Sequence, residues 1–285
     1  MAILLFQTLL NLVQGNKAAD ISLDSGNEDD EWYPSFFEPY RDLLSSVPFF
    51  PALGNHDDGN EAGDDRLQFL DNLFLTERFS ASGMSSWVSA AESWSRGLFY
   101  SFPFGADFRF VALDTTAQAH WVAAEKNQAL LDAAFSTGPR WILPFGHHPP
   151  FCLGPVHTYG GPDIRASRKH LWKEGRLRSH GVRASFWGHE HNYQHWQRVD
   201  HDLFVAGASG KFGRAPSVKR MERAAAKLVK YPHRPAPVTF ATGPHFLECR
   251  YESATNTVTV TPVPGDGHTL GYFRPDDPRE VVVRG

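Results

Sequence analysis

Apolar positions along the chain change period several times, and each period predicts an element. Thr257–Val263 alternates strictly between polar and apolar residues, the pattern of a strand with one face buried. Leu98–Phe102, Phe108–Leu113, Arg140–Phe145, Val182–Trp187 and His245–Tyr251 are short apolar runs that read as further strands. Between them, Trp121–Phe135 and Ile164–His180 place apolar residues at helical spacing, the second with a basic polar face. Glu31–Val47 mixes aromatic and polar residues at roughly that spacing, with Pro34 in a first turn and Pro39 as a kink. Near the start, Leu5, Thr8 or Leu9, Leu12 and Val13 favour an amphipathic helix over Ala2–Val13. A secretory leader is the weaker reading of that run. No basic residue precedes it, Gln7, Thr8 and Asn11 interrupt it, and no small-x-small cleavage site follows. Helices alternating with strands early and strand-rich sequence late point to a layered α/β domain. No internal repeat or low-complexity linker divides it.

Composition narrows the classes without choosing one. The 285 residues are 41% hydrophobic and 21% charged, which suits a globular core and excludes wholesale disorder. No apolar run approaches the ~20 residues of a membrane-spanning helix. Lys and Arg number 28 against 32 Asp and Glu, so the net charge of −4 gives no general affinity for nucleic acid. Two cysteines, Cys152 and Cys249, are too few for a stapled scaffold and read as ordinary core thiols. The 14 histidines are the unusual feature, and their placement carries the chemistry.

Three expected strands end alike: an apolar run stops, a glycine turns the chain, and metal-type side chains follow. These ends are Gly54-Asn55-His56, Gly146-His147-His148 and Gly188-His189-Glu190-His191. Ligands of α/β proteins bind outside the carboxyl ends of strands, so histidines remote in sequence can converge there. His189 and His191 are two apart, and in extended chain their rings lean the same way. Imidazoles with an amide oxygen make a donor set for Zn, Fe, Mn, Co or Ni rather than Ca or Mg. Taken singly, each histidine is better read as an ordinary surface or core residue. Three such strand ends in order make coincidence the poorer explanation.

Gly54-Asn55-His56-Asp57, Gly146-His147-His148-Pro149 and Gly188-His189-Glu190-His191 resemble the last three blocks of calcineurin-like metallophosphoesterases. The Asn-Tyr after His191, with Phe37-Glu38-Pro39-Tyr40 and Phe50-Pro51-Ala52-Leu53, is similar to the purple acid phosphatase-like branch. The resemblance runs from about Asp20 to Val263. It implies an α/β fold, a four-layer αββα sandwich of two mixed β-sheets flanked by helices. The corresponding divisions are an atypical segment 1–18, a phosphoesterase domain 19–265 and a polar tail 266–285. It also implies hydrolysis of a small phosphoester at a centre of one or two Fe, Mn or Zn ions. By position, Asn55, His147 and His189 would bind the second metal and His191 the first. His56 would face the phosphoryl group, and His157 would act as general acid to the leaving alkoxide. Asp114 ends a strand and takes a structural role.

The chain departs from the family at its beginning. No aspartate precedes Asp20, so the opening Asp-x-His block is absent and the first strand is expected to be missing. Ala19-Asp20-Ile21 is the counterpart of the block whose carboxylate bridges the metals, with Ala in place of glycine. Gly26-Asn27 is a competing placement that lies too close to Asn55. The branch's metal-binding tyrosine would fall at Leu23, so no iron–phenolate colour is expected. These departures support an alternative, a catalytically impaired or silent scaffold that binds metal or a partner. Lys211–Arg234, with eight basic residues and the single acid Glu222, reads as a solvated helix face or, less favourably, a site for an anionic partner. Neither a nucleic acid nor a membrane is expected as partner. An exported location is common in the branch, and this N-terminus does not show it.

Overall fold

Phe108, Phe110, Ala112, Leu143 and Phe145 alternate with Val111, Leu113 and Ile142 along adjacent strands, and the two sets enter two different cores. Both faces of these strands are therefore covered, as parallel strands require. The computed structural model describes residues 2–4, 32–54, 72–73, 85–86, 99–115, 131–136, 138–154, 161–173, 175–208, 217, 219, 222–223, 226, 234–274 and 276–285. Among these residues the chain is mixed α/β with two sheets and few helices.

The strands, in chain order, are β1 (Ala2–Leu4), β2 (Ser85–Ser86), β3 (Tyr100–Phe104), β4 (Phe108–Leu113), β5 (Trp141–Gly146), β6 (Ala184–Trp187), β7 (Tyr193–Arg198), β8 (His201–Ala206), β9 (Ala236–Thr242), β10 (His245–Glu252), β11 (Thr257–Pro264), β12 (Gly271–Tyr272) and β13 (Val281–Arg284). Nine form one sheet in the order β12-β9-β7-β8-β6-β5-β4-β3-β2, and four form the other, β1-β10-β11-β13. β4, β5, β6 and β8 run parallel, so their carboxyl ends share one edge of the larger sheet. That edge positions the site.

The two sheets pack face to face. Leu247, Cys249, Val258, Val260, Val281 and Val283 of the smaller sheet join Phe110, Phe145, Phe186 and Phe204 of the larger in one core. Phe108 meets Tyr251 edge-on at 4.7 Å, an aromatic contact across the two layers. β10 and β11 bury alternate residues, as expected for a sheet with one wet face. A second core lies on the other face of the larger sheet, where Leu131, Phe135, Leu171, Trp172 and Leu177 of helical segments cover Val111, Ile142 and Val205.

Six strand expectations hold with boundary shifts of no more than two residues, while the strand expected to end at Gly54 is corrected: residues 48–54 are irregular chain without sheet pairing among the described residues. Two helical expectations are corrected. Ala2–Leu4 is a strand, its backbone paired with Cys249–Tyr251 at the sheet edge. An open edge satisfies the backbone of a short apolar segment, and this tertiary pairing outweighs a weak helical period. The Ile164–His180 helix is broken into Pro162–Ser167, a π-helical stretch Arg168–Lys173 and Arg176–Ser179. Gly175, at φ +83°, supplies the left-handed turn that splits it. The segment 266–285 contributes β12 and β13 to the two sheets.

Candidate metal centre

β4 delivers Asp114 and Thr115, β5 delivers His147 and His148, and β6 delivers His189, all at the shared edge and all buried. The ligand atoms of His147, His148 and His189 lie within 4.8 Å of one another. His147 Nε2 is 2.9 Å from His189 Nδ1, and the ring centroids of His148 and His189 are 4.3 Å apart. A 2.9 Å contact between two ring nitrogens requires one to donate and the other to accept, so at least one of the pair is neutral there. Neutral imidazoles are the protonation state that metals bind.

His148 was not among the ligands expected from sequence, because only one histidine of the adjacent pair had a counterpart in the resemblance. Thr115 places it. The Thr115 hydroxyl accepts the backbone N–H of His148 at 2.7 Å and lies 3.2 Å from its Nδ1. A hydroxyl holding both backbone and ring leaves Nε2 as the atom aimed away from Thr115. The signal for this residue was the threonine at the end of the neighbouring strand, which only strand order brings alongside.

The turn carrying His189 is unusual. His189 has φ +69°, the left-handed region that side chains with a Cβ seldom adopt. Glu190 N–H donates to Gly188 O at 2.9 Å and Asn192 N–H to Glu190 O at 2.8 Å, so two three-residue turns follow one another. The expectation of an extended chain from His189 to His191 is thus corrected: the backbone reverses at each residue. Strain of this sort persists where the surroundings over-determine it, and it clusters at functional sites. Gly188 N–H donates to His147 O at 3.0 Å, tying the two histidine segments together. A Cβ on Gly207 would lie 2.4 Å from Glu190 O, so glycine at the end of β8 is what lets this turn sit down.

Of the other expected site residues, His191 is half-buried on the second turn and lies outside the cluster of three. Asp20, Asn55, His56 and His157 fall outside the described residues, as does most of Lys211–Arg234. Arg234 lines an open cleft of about 710 Å³ with Arg183, Arg198 and Arg284, at the β7–β8 turn and so at the opposite end of β8 from the histidines. Neither cysteine forms a disulfide, and both are buried. Burial, then the nearby Glu190 charge, pushes the Cys152 thiol well above its ordinary range, which disfavours its thiolate form. No helix of the described residues is long and apolar enough to cross a membrane.

Three buried imidazoles in reach of one point form a donor set that fits a transition-metal cation, with no thiolate to bias the choice. Comparison with known proteins agrees in kind. The family model for calcineurin-like phosphoesterases matches residues 6–193. No curated protein matches by sequence. Among solved structures, the chain is similar to purple acid phosphatase PPD1 from yellow lupin (Lupinus luteus) seeds, with a TM-score of 0.57, 14% identity and coverage of 86% of this chain and 43% of that one. GAP50, the anchor in the inner membrane complex of Plasmodium, gives a TM-score of 0.52 at 13% identity, covering 94% of this chain and 86% of that one. PhoD gives 0.50 at 11% identity, covering 82% and 54%. The chain therefore spans less than half the length of the lupin protein and about half of PhoD. At these identities the likeness speaks for the fold.

Proposed function

This chain belongs to the calcineurin-like phosphoesterase family, and from that premise we propose that it is a metal-dependent hydrolase of small phosphoesters. The observation that carries the proposal is the buried cluster of His147, His148 and His189 at the ends of β5 and β6. In this reading His147 and His189 would hold one metal ion together with Asn55, His148 would add a third imidazole, His191 would hold the other ion, and the Asp20 carboxylate would serve both. Iron, manganese and zinc all suit the donors. A bound ion of this kind supplies Lewis acidity toward the ester and lowers the pKa of water.

The protein groups do the rest. Thr115 holds the His148 ring through Nδ1, leaving Nε2 to face the centre. The left-handed turn fixes the His189 ring against His147 before any ligand arrives, so little ordering is left to do on binding. His56 would donate to a phosphoryl oxygen as negative charge develops there. His157 would give a proton to the leaving alkoxide, which otherwise departs as a strong base. The catalytic residues fall within 19–265 in this proposal, and β1, β12 and β13 complete the sheets of the family's four-layer αββα sandwich from outside those bounds. The described residues form two sheets with few helices.

The test is hydrolysis of p-nitrophenyl phosphate by metal-reconstituted protein, set against a chelated control. Turnover is expected only with metal, and His189→Ala is expected to lower kcat at least a hundredfold with an unchanged unfolding midpoint of the metal-free protein. Equal rates with metal and with chelator refute the hydrolase. The second reading, a silent scaffold, draws on the likeness to GAP50, which covers 86% of a protein described as an anchor. It predicts metal binding without turnover on monoesters, diesters or nucleotides.

A further inference from the structure

The chain leaving His148 is gripped by side chains of the segment that carries His189. Glu190, Asn192 and Gln194 are two apart, are all buried and are linked to one another. The Gln194 carboxamide uses its full capacity. Its Oε1 accepts from Leu153 N–H at 3.0 Å and from the Trp196 indole N–H at 3.0 Å. Its Nε2 donates to Leu153 O at 3.2 Å and to Asn192 Oδ1 at 2.8 Å. Reversing the amide would set donors against the two N–H groups, so its orientation is fixed. One side chain thus pairs with both backbone groups of Leu153, as a neighbouring strand would.

Glu190 closes the grip from the other side. Its Oε2 lies 3.9 Å from Cys152 Sγ, and its Oε1 takes Asn192 Nδ2 at 3.5 Å. Its carboxylate sits directly over Gly154: a Cβ built there would fall 1.8 Å from the carboxyl carbon and 2.0 Å from each oxygen. The two histidine segments are therefore joined at both ends, by Gly188 N–H to His147 O at one and by Gln194 and Glu190 to residues 152–154 at the other.

We propose that Glu190 and Gln194 are positioning residues: by clamping residues 152–154 they set the separation of His147 and His148 from His189, and with it the affinity of the centre for metal. This rests on the metal-centre reading above. Neither residue is assigned contact with substrate or metal. A clamp of this kind makes Gly154 and Glu190 energetically coupled, because the space Gly154 leaves is the space the carboxylate fills.

The test is titration of the metal-free 285-residue chain with Co²⁺, followed by its visible absorption, with urea unfolding run on every variant. Gly154→Ala is expected to weaken Co²⁺ binding at least tenfold. In a Glu190→Ala background, where the carboxylate is gone, the same change is expected to weaken it by less than twofold. Gln194→Met keeps the volume and removes the hydrogen bonds, and a tenfold loss is expected there too. This variant carries the test if Gly154→Ala does not fold. A purely structural role would lower the urea midpoint and leave Co²⁺ affinity and spectrum unchanged. Affinity within twofold in every folded variant, or equal penalties for Gly154→Ala in both backgrounds, overturns the clamp alone. Absence of Co²⁺ binding by the unaltered chain overturns the metal reading and the clamp with it.

Discussion

His245 offers a stability test that is independent of any ligand. It opens β10, is 2% exposed, and donates from Nδ1 to Gly243 O at 2.9 Å. Nε2 is then the site of protonation, and it is a buried atom with no hydrogen-bond partner among the described residues. The Tyr193 ring meets it edge-on at 5.7 Å. Burial accordingly lowers its pKa from 6.5 to about 4, against a smaller upward pull from the Gly243 carbonyl. Because the folded pKa is the lower one, the unfolded chain takes up the proton first. Stability is fully present above the unfolded value and is lost as pH falls toward 4. The linkage amounts to about 2 kcal/mol at pH 5 and about 3 kcal/mol once both states are protonated. His245→Asn keeps a donor for Gly243 and removes the titration. At pH 7.5 it should cost about 1–2 kcal/mol of packing. At pH 5 that deficit should vanish. Urea unfolding of both proteins at the two pH values measures the difference. His201 is also held low by burial and acts in the same direction, which is why the comparison is made between variant and parent. A deficit that stays constant to within about 0.5 kcal/mol from pH 7.5 to 5 refutes the reasoning, given the usual error of such measurements.

Three further outcomes follow from the site. Gly207→Ala drives a methyl group into the backbone at Glu190, which cannot swing aside, and should lower unfolding free energy by about 2–3 kcal/mol in urea. Thr115→Val removes the hydroxyl that holds both the backbone and the ring of His148. Metal affinity should fall roughly tenfold to a hundredfold, and Thr115→Ser should restore it. Because only the folded chain assembles the three imidazoles, metal at a hundred times its Kd should add about 2.7 kcal/mol of stability, and a chelator should lower the calorimetric Tm correspondingly.

Several strands were legible because period and boundary agreed locally. Phe108–Leu113 is bounded as expected, and Thr257–Val263 differs by one residue, since alternation over seven positions leaves little freedom. Val281–Arg284 and Ala236–Thr242 were not read as strands. The first is a short apolar run that becomes a strand only through its pairing with β11, and the second follows Pro235 with no clear alternation. Ala2–Leu4 was read as helix because helical spacing further along the run was the stronger local signal, while the partner at Cys249–Tyr251 is some 245 residues away.

The same division runs through the site. That Gly146-His147-His148 and Gly188-His189-Glu190-His191 carry metal-type chemistry is a property of residue types and spacing, and the family follows from it. Which imidazoles meet is not local information. It depends on β5 and β6 being neighbours, on a left-handed backbone at His189, and on Thr115 arriving from β4 to orient His148. Patterning acts through each residue's nearest neighbours in the chain and so writes the elements. Convergence acts through sheet order and through glycines that admit one backbone onto another, and those distances exist only once the chain is folded.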